Sequence, residues 1–193
     1  RPPPPFEDSP DYVQSLHRGL EVVRAFSDER PAMTLSQLAQ RARLSRAVVR
    51  RVLLTLEHLG YVARHERLFS LTPRVLELGY GYLASLPITD IALPYMEELS
   101  RSVLESCSMS VLDGSDIVYV QRVPVRKVVT VTLAVGARLP AHCTSMGRVL
   151  LAGLDREALA RWLQDAEPRA RTRFTLTDTD ALEQELQRVR TQG

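Results

Sequence analysis

The stretch LSQLAQRARLSRAVVRRVL at residues 35–53 constrains the fold of this chain more than any other part of the sequence. Thr34 and Ser45 lie where two short helices would begin, because a hydroxyl group at a helix N-cap accepts a backbone N–H hydrogen bond. Six apolar residues fall at the positions that two helices joined by a tight turn bury against each other: Leu38, Ala39, Ala42, Leu44, Val49 and Val52. The spacing predicts a helix-turn-helix, with helices from Thr34 to Arg43 and from Ser45 to Leu59.

The predicted turn differs from the usual pattern at one residue. Arg43 occupies the position where the backbone needs a positive φ and glycine is usual, and a side chain there costs about 1 kcal/mol. Two β-prone runs follow, at residues 61–63 and 68–71, with the polar residues 64–67 between them. They predict a hairpin that forms the wing of a winged helix.

The remaining patterns predict an α+β chain in four parts. Residues 1–11 are a proline-rich tail expected to be poorly ordered, 12–72 the winged helix-turn-helix domain with a first helix over 12–26, 73–87 a linker helix, and 88–193 a second domain. For the second domain we expect one antiparallel sheet with strands at 106–112, 117–122 and 128–135. Its helices are expected at 91–105, 145–152, 156–164 and 179–190.

Positive charge is concentrated in the helix-turn-helix and wing. Residues 41–67 hold seven arginines and two glutamates, whereas residues 88–193 hold 13 basic and 14 acidic residues. This asymmetry favours a polyanion partner, double-stranded DNA, for the first segment, although the arginines could also form a solvated surface. Because the N-terminal half of the second helix enters the major groove in such motifs, Arg46 and Arg50 are the candidate base contacts, with Ser45 and Ala47 beside them. The candidate phosphate contacts are Arg41, Arg51, Arg64 and Arg67.

Other classes of protein are disfavoured. No window approaches the roughly 18 consecutive apolar residues of a membrane helix, so we expect a cytoplasmic protein. Cys107 and Cys143 are the two cysteines and lie far apart in sequence, which argues against a disulfide framework or a CxxC zinc site. Neither a metal nor a cofactor is predicted.

The stretch LPAHCTSMGRVLLA at residues 139–152 places a histidine beside a cysteine, just before a predicted helix. A catalytic cysteine would need His142 as its base, but neighbouring side chains on an extended chain point to opposite faces, so catalysis is not expected. A helix that begins near Thr144 would instead direct free N–H groups toward an anionic ligand. The candidate ligand contacts are Met109, Arg122, Arg138, His142, Cys143, Thr144, Ser145 and Met146. Two alternatives stay open: Thr144 caps a purely structural helix, and Arg122 and Arg138 lie on the surface.

Three segments together resemble the IclR family of bacterial transcription regulators, in the form found in regulators of aromatic-acid catabolism. They are QSLHRGLEV at residues 14–22, the helix-turn-helix from Leu38 to Tyr61, and LPAHCTSMGRVLLA. The resemblance implies a winged helix, a linker helix and a GAF-like effector domain. It further implies homodimers or dimers of dimers, joined through the first and linker helices, on pseudo-palindromic operator DNA.

For this branch the resemblance implies effectors such as protocatechuate, 4-hydroxybenzoate or β-ketoadipate, and usually activation of catabolic genes. Family members continue past the helix that ends near Gly193, so we expect the effector domain here to be truncated. Two other hypotheses remain: an architectural DNA-binding protein whose second domain only oligomerises, and a cysteine-dependent enzyme.

Overall fold

The computed structural model describes residues 6–125 and 133–192. The chain divides into two compact units, of which the first ends at Tyr82 and the second begins at Leu83. This division falls within the predicted linker helix and not at Pro87, where the sequence suggested a boundary.

The first unit contains the predicted helix-turn-helix and hairpin. Its elements are α1 (Gln14–Arg24), β1 (Ala32–Thr34), α2 (Leu35–Ala42), α3 (Arg46–His58), β2 (Val62–His65) and β3 (Leu68–Leu71). The strands form an antiparallel sheet in the order β1-β3-β2. Strand β1 was not predicted, since it depends on pairing with a distant segment: Met33 lies opposite Phe69.

The core of the first unit confirms the predicted burial pattern. Four of the six positions are buried, and Leu44 and Val52 are partly buried against the same core. Val22 from α1 and Met33 and Phe69 from the sheet complete this core. The helix-turn-helix is therefore held from both sides, and its exposed face is free to carry charge.

Local hydrogen bonds explain where α2 and α3 begin and end. Thr34 and Gln37 form a capping box, in which each side chain accepts a hydrogen bond from the other residue's backbone N–H, at 3.4 and 2.8 Å. Ser45 caps α3 through the N–H of Val48. Between the helices Arg43 has φ +54°, so the arginine adopts the left-handed conformation that the sequence predicts for this turn.

Relief of this strain is testable. We expect Arg43→Gly to raise the free energy of unfolding of the first unit by about 0.5–1 kcal/mol, because glycine adopts a positive φ without a steric penalty. Urea unfolding followed by far-UV circular dichroism measures the change. Gln40→Gly, at an exposed position inside α2, is the matched control and should lower stability. A loss of stability in Arg43→Gly would contradict the strained turn.

The segments that flank the winged helix differ in detail from prediction. Thr72 caps a 3₁₀ turn over Pro73–Val75, and α4 follows at Leu76–Ala84, three residues shorter at its end than the predicted linker helix. Within the tail, Phe6–Asp8 forms a single 3₁₀ turn. The ring of Phe6 packs edge-on against Tyr12 with centroids 5.9 Å apart, which gives this part of the tail a local structure.

The second unit combines one antiparallel sheet with helices, as predicted. Its elements are α5 (Pro87–Val103), β4 (Cys107–Asp113), β5 (Asp116–Val123), β6 (Arg138–Pro140), a 3₁₀ turn (Ala141–Cys143), α6 (Ser145–Ala152), α7 (Arg156–Asp165) and α8 (Thr179–Gln192). The strand order is β4-β5-β6. Helix α5 begins four residues before the predicted start because Pro87 suits the first turn of a helix.

The strand predicted at 128–135 falls mostly outside the described residues. Residues 126–132 lie outside the described residues, and 133–135 belong to no strand. A short strand that was not predicted, β6, pairs Leu139 with Ile117 of β5. A core cluster then joins Ile117 and Tyr119 to Leu151 of α6 and Leu182 of α8, so these two helices lie on the face of the sheet that carries Tyr119.

Candidate functional site

Helix α3 presents an exposed basic surface. All eight predicted DNA contacts are exposed: Arg41, Ser45, Arg46, Ala47, Arg50, Arg51, Arg64 and Arg67. Arg46 and Arg50 are four residues apart on α3 and therefore lie on one face. Within residues 6–125 and 133–192, no carboxylate lies within 4.0 Å of these arginines, so their charge is available to a polyanion.

Of the predicted phosphate contacts, Arg41, Arg64 and Arg67 lie outside α3, and Arg51 lies on it. Arg64 on β2 donates a hydrogen bond to the carbonyl of Glu66 at 3.0 Å and stacks over Phe69 at 5.7 Å, which fixes it beside the tip of the wing. Arg41 donates to the hydroxyl of Ser27 at 3.3 Å. Arg51 differs from the others because it lines a groove of about 440 Å³ between α1 and α3.

In the second unit, α6 begins where the sequence predicts. Thr144 is its N-cap: the hydroxyl accepts from the N–H of Gly147 at 3.2 Å and donates to the carbonyl of Pro140 at 3.1 Å. Gly147 is buried against the preceding 3₁₀ turn, and a Cβ atom there would overlap the backbone of Ala141. The helix start and the turn are therefore packed backbone against backbone.

From the sequence, His142 and Cys143 were expected on an extended segment. They lie in a 3₁₀ turn. At three residues per turn their side chains diverge by about 120°. His142 is 6% exposed, and its Nε2 lies 3.1 Å from the carbonyl oxygen of Arg169. Cys143 donates weakly to the carbonyl of Pro140 at 3.8 Å. The imidazole is thus engaged by a backbone carbonyl and does not meet the thiol.

A shallow cleft of about 340 Å³ lies between β4 and α6, and its lining residues are Ser108, Ser110, Ser145, Met146, Val149 and Leu150. Two of the predicted ligand contacts, Ser145 and Met146, are among them. The hydroxyl of Ser110 donates to the sulfur of Met146 at 3.5 Å across the cleft. The hydroxyl groups of Ser108 and Ser110 on β4 thus face an apolar surface of α6, and Ser145 adds a hydroxyl group at the start of that helix.

A β-bulge in β5 sets which charged residue is near this cleft. Met109 pairs with Gln121 but Ser110 pairs with Tyr119, so Val120 is the extra residue. Beyond the bulge Arg122 lies opposite Ser108 and donates to its hydroxyl at 3.3 Å. The bulge therefore places Arg122 on the face that carries Ser108 and Ser110. Met109 lies between these two serines in β4 and faces away.

Arg138, the other predicted cation, is not brought to the cleft. Its guanidinium bonds to the carboxylate of Asp113, to that residue's carbonyl, and to Asp116 at 3.2 Å. The hydrogen bond with Asp113 raises the pKa of Arg138. Asp113 ends β4 at the opposite end from Ser108. Arg138 therefore stabilises the β4–β5 turn, because two carboxylates neutralise it there.

Helix α8 fixes both ends of α6. At the start of α6, Arg148 donates to the carbonyl of His142 at 3.0 Å and pairs with Glu185 at 3.5 Å. Arg188 hydrogen-bonds the same carboxylate and, as the largest cause, lowers the pKa of Glu185. At the other end, Arg190 donates to the carbonyls of Ala152 and Leu154, at 2.7 and 2.6 Å.

Sequence reasoning missed Ser108, Ser110, Arg148 and Glu185. The signal for the first two was present in SCSMS at residues 106–110, since alternate serines on a strand share one face. The Arg148–Glu185 pair spans 37 positions in sequence and had no local signal.

In the described part of the chain, no cluster of three or more His, Cys, Asp or Glu side chains has the arrangement of a metal site. None of the described helices has the length and apolar character needed to cross a membrane.

Comparison with known proteins agrees with this architecture. The model of the IclR helix-turn-helix domain matches residues 15–66, and that of the C-terminal domain of bacterial IclR transcriptional regulators matches residues 80–193. The Pca regulon regulatory protein of Pseudomonas putida is 44% identical over 97% of this chain and 65% of the relative. The p-hydroxybenzoate hydroxylase transcriptional activator of Acinetobacter baylyi is 36% identical over 93% of this chain and 68% of the relative. The chain thus spans about two thirds of the length of these curated relatives.

Solved structures give the same result. A transcriptional regulator from Rhodococcus sp. RHA1 is 52% identical, with a TM-score of 0.78 over 94% of this chain and 73% of that structure. An IclR homolog from Microbacterium hydrocarbonoxydans, complexed with 4-hydroxybenzoate, is 29% identical with a TM-score of 0.78 over 93% of this chain and 75% of that one. The expected likeness to regulators of aromatic-acid catabolism is supported by these relatives. Both domain matches, the identities and the fold agree, and the chain belongs to the IclR family of bacterial transcriptional regulators.

Proposed function

We propose that this chain acts as a ligand-responsive, DNA-binding transcription regulator of catabolic genes. The observation that carries the proposal is the basic surface of α3, where Arg46 and Arg50 are exposed on one face without acidic partners among the described residues. In a helix-turn-helix this face enters the major groove, and arginine makes bidentate hydrogen bonds with guanine. Arg41, Arg51, Arg64 and Arg67 are proposed as phosphate contacts.

We further propose that the regulator is a homodimer that binds two DNA half-sites. Helices α1 and α4 expose large apolar side chains, and the strongest cases are Leu16, Leu76, Leu78 and Tyr80, which are 61–76% exposed. Some of these residues line an apolar groove of about 200 Å³ in the first unit. Apolar surface of this extent in a soluble domain is typical of an interface. Sedimentation velocity of the chain with and without a two-half-site duplex tests this assignment.

The effector is proposed to be a small aromatic carboxylate bound between β4 and α6. Arg122, which donates a hydrogen bond to the lining residue Ser108, would supply a cation beside the cleft. Ser145 would supply a hydroxyl group at the N-terminus of α6, and Met146 an apolar wall. A carboxylate bound there would gain charge-assisted hydrogen bonds. The relative from Microbacterium hydrocarbonoxydans binds 4-hydroxybenzoate, which belongs to this chemical class.

A thermal-shift screen tests the sensing function directly. Benzoate, 4-hydroxybenzoate, protocatechuate and β-ketoadipate are added to the chain, since a ligand that binds the native state raises the unfolding midpoint. A compound that raises the midpoint and also changes affinity for DNA supports a regulator controlled by a ligand. DNA binding that no acid alters would favour an architectural protein whose second domain only oligomerises.

Arg122 is the residue on which acid binding should depend most. We expect Arg122→Gln to lower the affinity for 4-hydroxybenzoate by about 10- to 100-fold, because a charge-assisted hydrogen bond is about twice as strong as a neutral one. Isothermal titration calorimetry measures the change. Arg138→Gln is the matched control, since it removes a strand arginine of the same sheet that is bound to Asp113. Equal losses in the two variants would contradict the assignment of Arg122.

A further inference from the structure

We infer that Ser110 is a specificity-determining residue of the β4–α6 cleft and binds a second polar group of the ligand, para to its carboxylate. The inference rests on the proposed function, which places the carboxylate at Arg122. It assigns the opposite end of the ligand to a serine. The ligand class is accordingly a benzene ring with a carboxylate at one end and a hydroxyl group at the other.

The hydroxyl of Ser110 has a weak partner. It is half-buried and donates to the thioether sulfur of Met146 at 3.5 Å. Thioether sulfur is a poor hydrogen-bond acceptor, whereas a phenolic oxygen both accepts and donates. A ligand oxygen would therefore replace the sulfur of Met146 as the partner of Ser110 and form a stronger hydrogen bond. Ser108 differs, because its hydroxyl already accepts a hydrogen bond from Arg122 at 3.3 Å.

The spacing of the two serines matches the proposed ligand. Ser108 and Ser110 lie two residues apart on one face of β4, and alternate residues of a strand are about 7 Å apart. Para substituents on a benzene ring are separated by a comparable distance. A carboxylate held by Arg122 beside Ser108 would therefore direct a para hydroxyl group toward Ser110. The ring itself would lie against Met146, Val149 and Leu150 on α6.

This arrangement predicts discrimination between two simple acids. With benzoate bound, the hydroxyl of Ser110 would keep its hydrogen bond to the sulfur of Met146. With 4-hydroxybenzoate bound, it would hydrogen-bond the phenolic oxygen of the ligand. Because Ser110 is half-buried, we expect about 10-fold preference, less than the discrimination that fully enclosed polar sites achieve.

The test compares benzoate with 4-hydroxybenzoate on the full chain by isothermal titration calorimetry. We expect the wild type to bind 4-hydroxybenzoate about 10-fold more tightly, and Ser110→Ala to bind both acids with equal affinity, at the wild-type value for benzoate. Ser106→Ala is the matched control, since that hydroxyl accepts the backbone N–H of Val125 and lies outside the cleft lining. Ser110→Thr keeps a hydroxyl group and should restore the preference.

Two results would overturn the inference, and they differ in meaning. An unchanged preference in folded Ser110→Ala would remove Ser110 from the site while the cleft remains the place where acids bind. Failure of the wild type to bind either acid would instead reject the proposed effector class, and this inference with it. If Ser110→Ala does not fold, loss of the preference in Ser110→Thr, with benzoate affinity retained, overturns the inference as well.

Discussion

Gly147→Ala is expected to lower the free energy of unfolding of the second unit by about 3 kcal/mol, at the upper end of the usual cost of overpacking. The new Cβ would overlap the carbonyl oxygen and Cα of Ala141 and lie 2.6 Å from the hydroxyl of Thr144. These atoms belong to the 3₁₀ turn and the helix cap, so no flexible side chain can move aside. Helix α6 would have to separate from the turn.

Urea unfolding followed by the fluorescence of Trp162 measures this effect. Trp162 is the single tryptophan of the chain, and its indole donates to the carbonyl of Gly114 at 2.8 Å in the second unit. Gly153→Ala, at the other end of α6, is the matched control, since its Cβ would lie 3.4 Å from the nearest atom, an ordinary contact. Similar stabilities for the two variants would show that α6 and the turn do not pack as described.

Arg50→Ala is expected to weaken binding to cognate DNA by about 10- to 100-fold, because a bidentate arginine–guanine contact contributes about 1–3 kcal/mol of discrimination. The fold should be unaffected, since Arg50 is exposed and makes no ion pair with a described residue. Fluorescence anisotropy with a duplex that the wild type selects from a random-sequence pool measures the affinity. The variant should also lose its preference at one base pair of each half-site.

Arg67→Ala separates base recognition from simple charge loss. Arg67 lies at the tip of the wing and is proposed as a phosphate contact, so its loss should weaken binding similarly for all sequences and reduce the salt slope by about one unit. Arg173→Ala is the matched control, since it removes an exposed arginine of the second unit that stacks on the ring of Phe174, and it should leave DNA affinity and its salt dependence unchanged. Wild-type affinity and base preference in Arg50→Ala would reject α3 as the recognition helix.

The helix-turn-helix was predictable because its determinants are local. Thr34 and Ser45 mark helix starts through hydrogen bonds within three residues, and the buried positions repeat with the helical period. Even the left-handed conformation of Arg43 follows from the length of the turn. Strands β1 and β6 were missed because each has three residues and exists through pairing with a distant segment.

The candidate ligand site was predictable only in part, for the same reason. The start of α6 at Thr144 is encoded locally, and it was found. The position of Arg122 depends on the bulge at Val120, which reverses the alternation of β5 and leaves no mark in composition or periodicity. Arg138 was assigned to the ligand because it could add a positive charge, but Asp113 engages it, an interaction 25 positions away in sequence.

Because residues of α8 contact α6 near both of its ends, we expect α6 to move as a rigid body and not to bend or unfold at one end. Melting either end of α6 would require Arg148 or Arg190 to release its carbonyl partners, so amide protons in α6 and α8 should exchange with solvent as one cooperative unit. The ion pair between Arg148 and Glu185 links the first turn of α6 to α8. Arg188 donates hydrogen bonds to both Glu185 and Gln192, which extends this link to the last turn of α8. Leu182 and Leu186 of α8 pack in the same core as Leu151 of α6, so we expect a movement of one helix to carry the other with it.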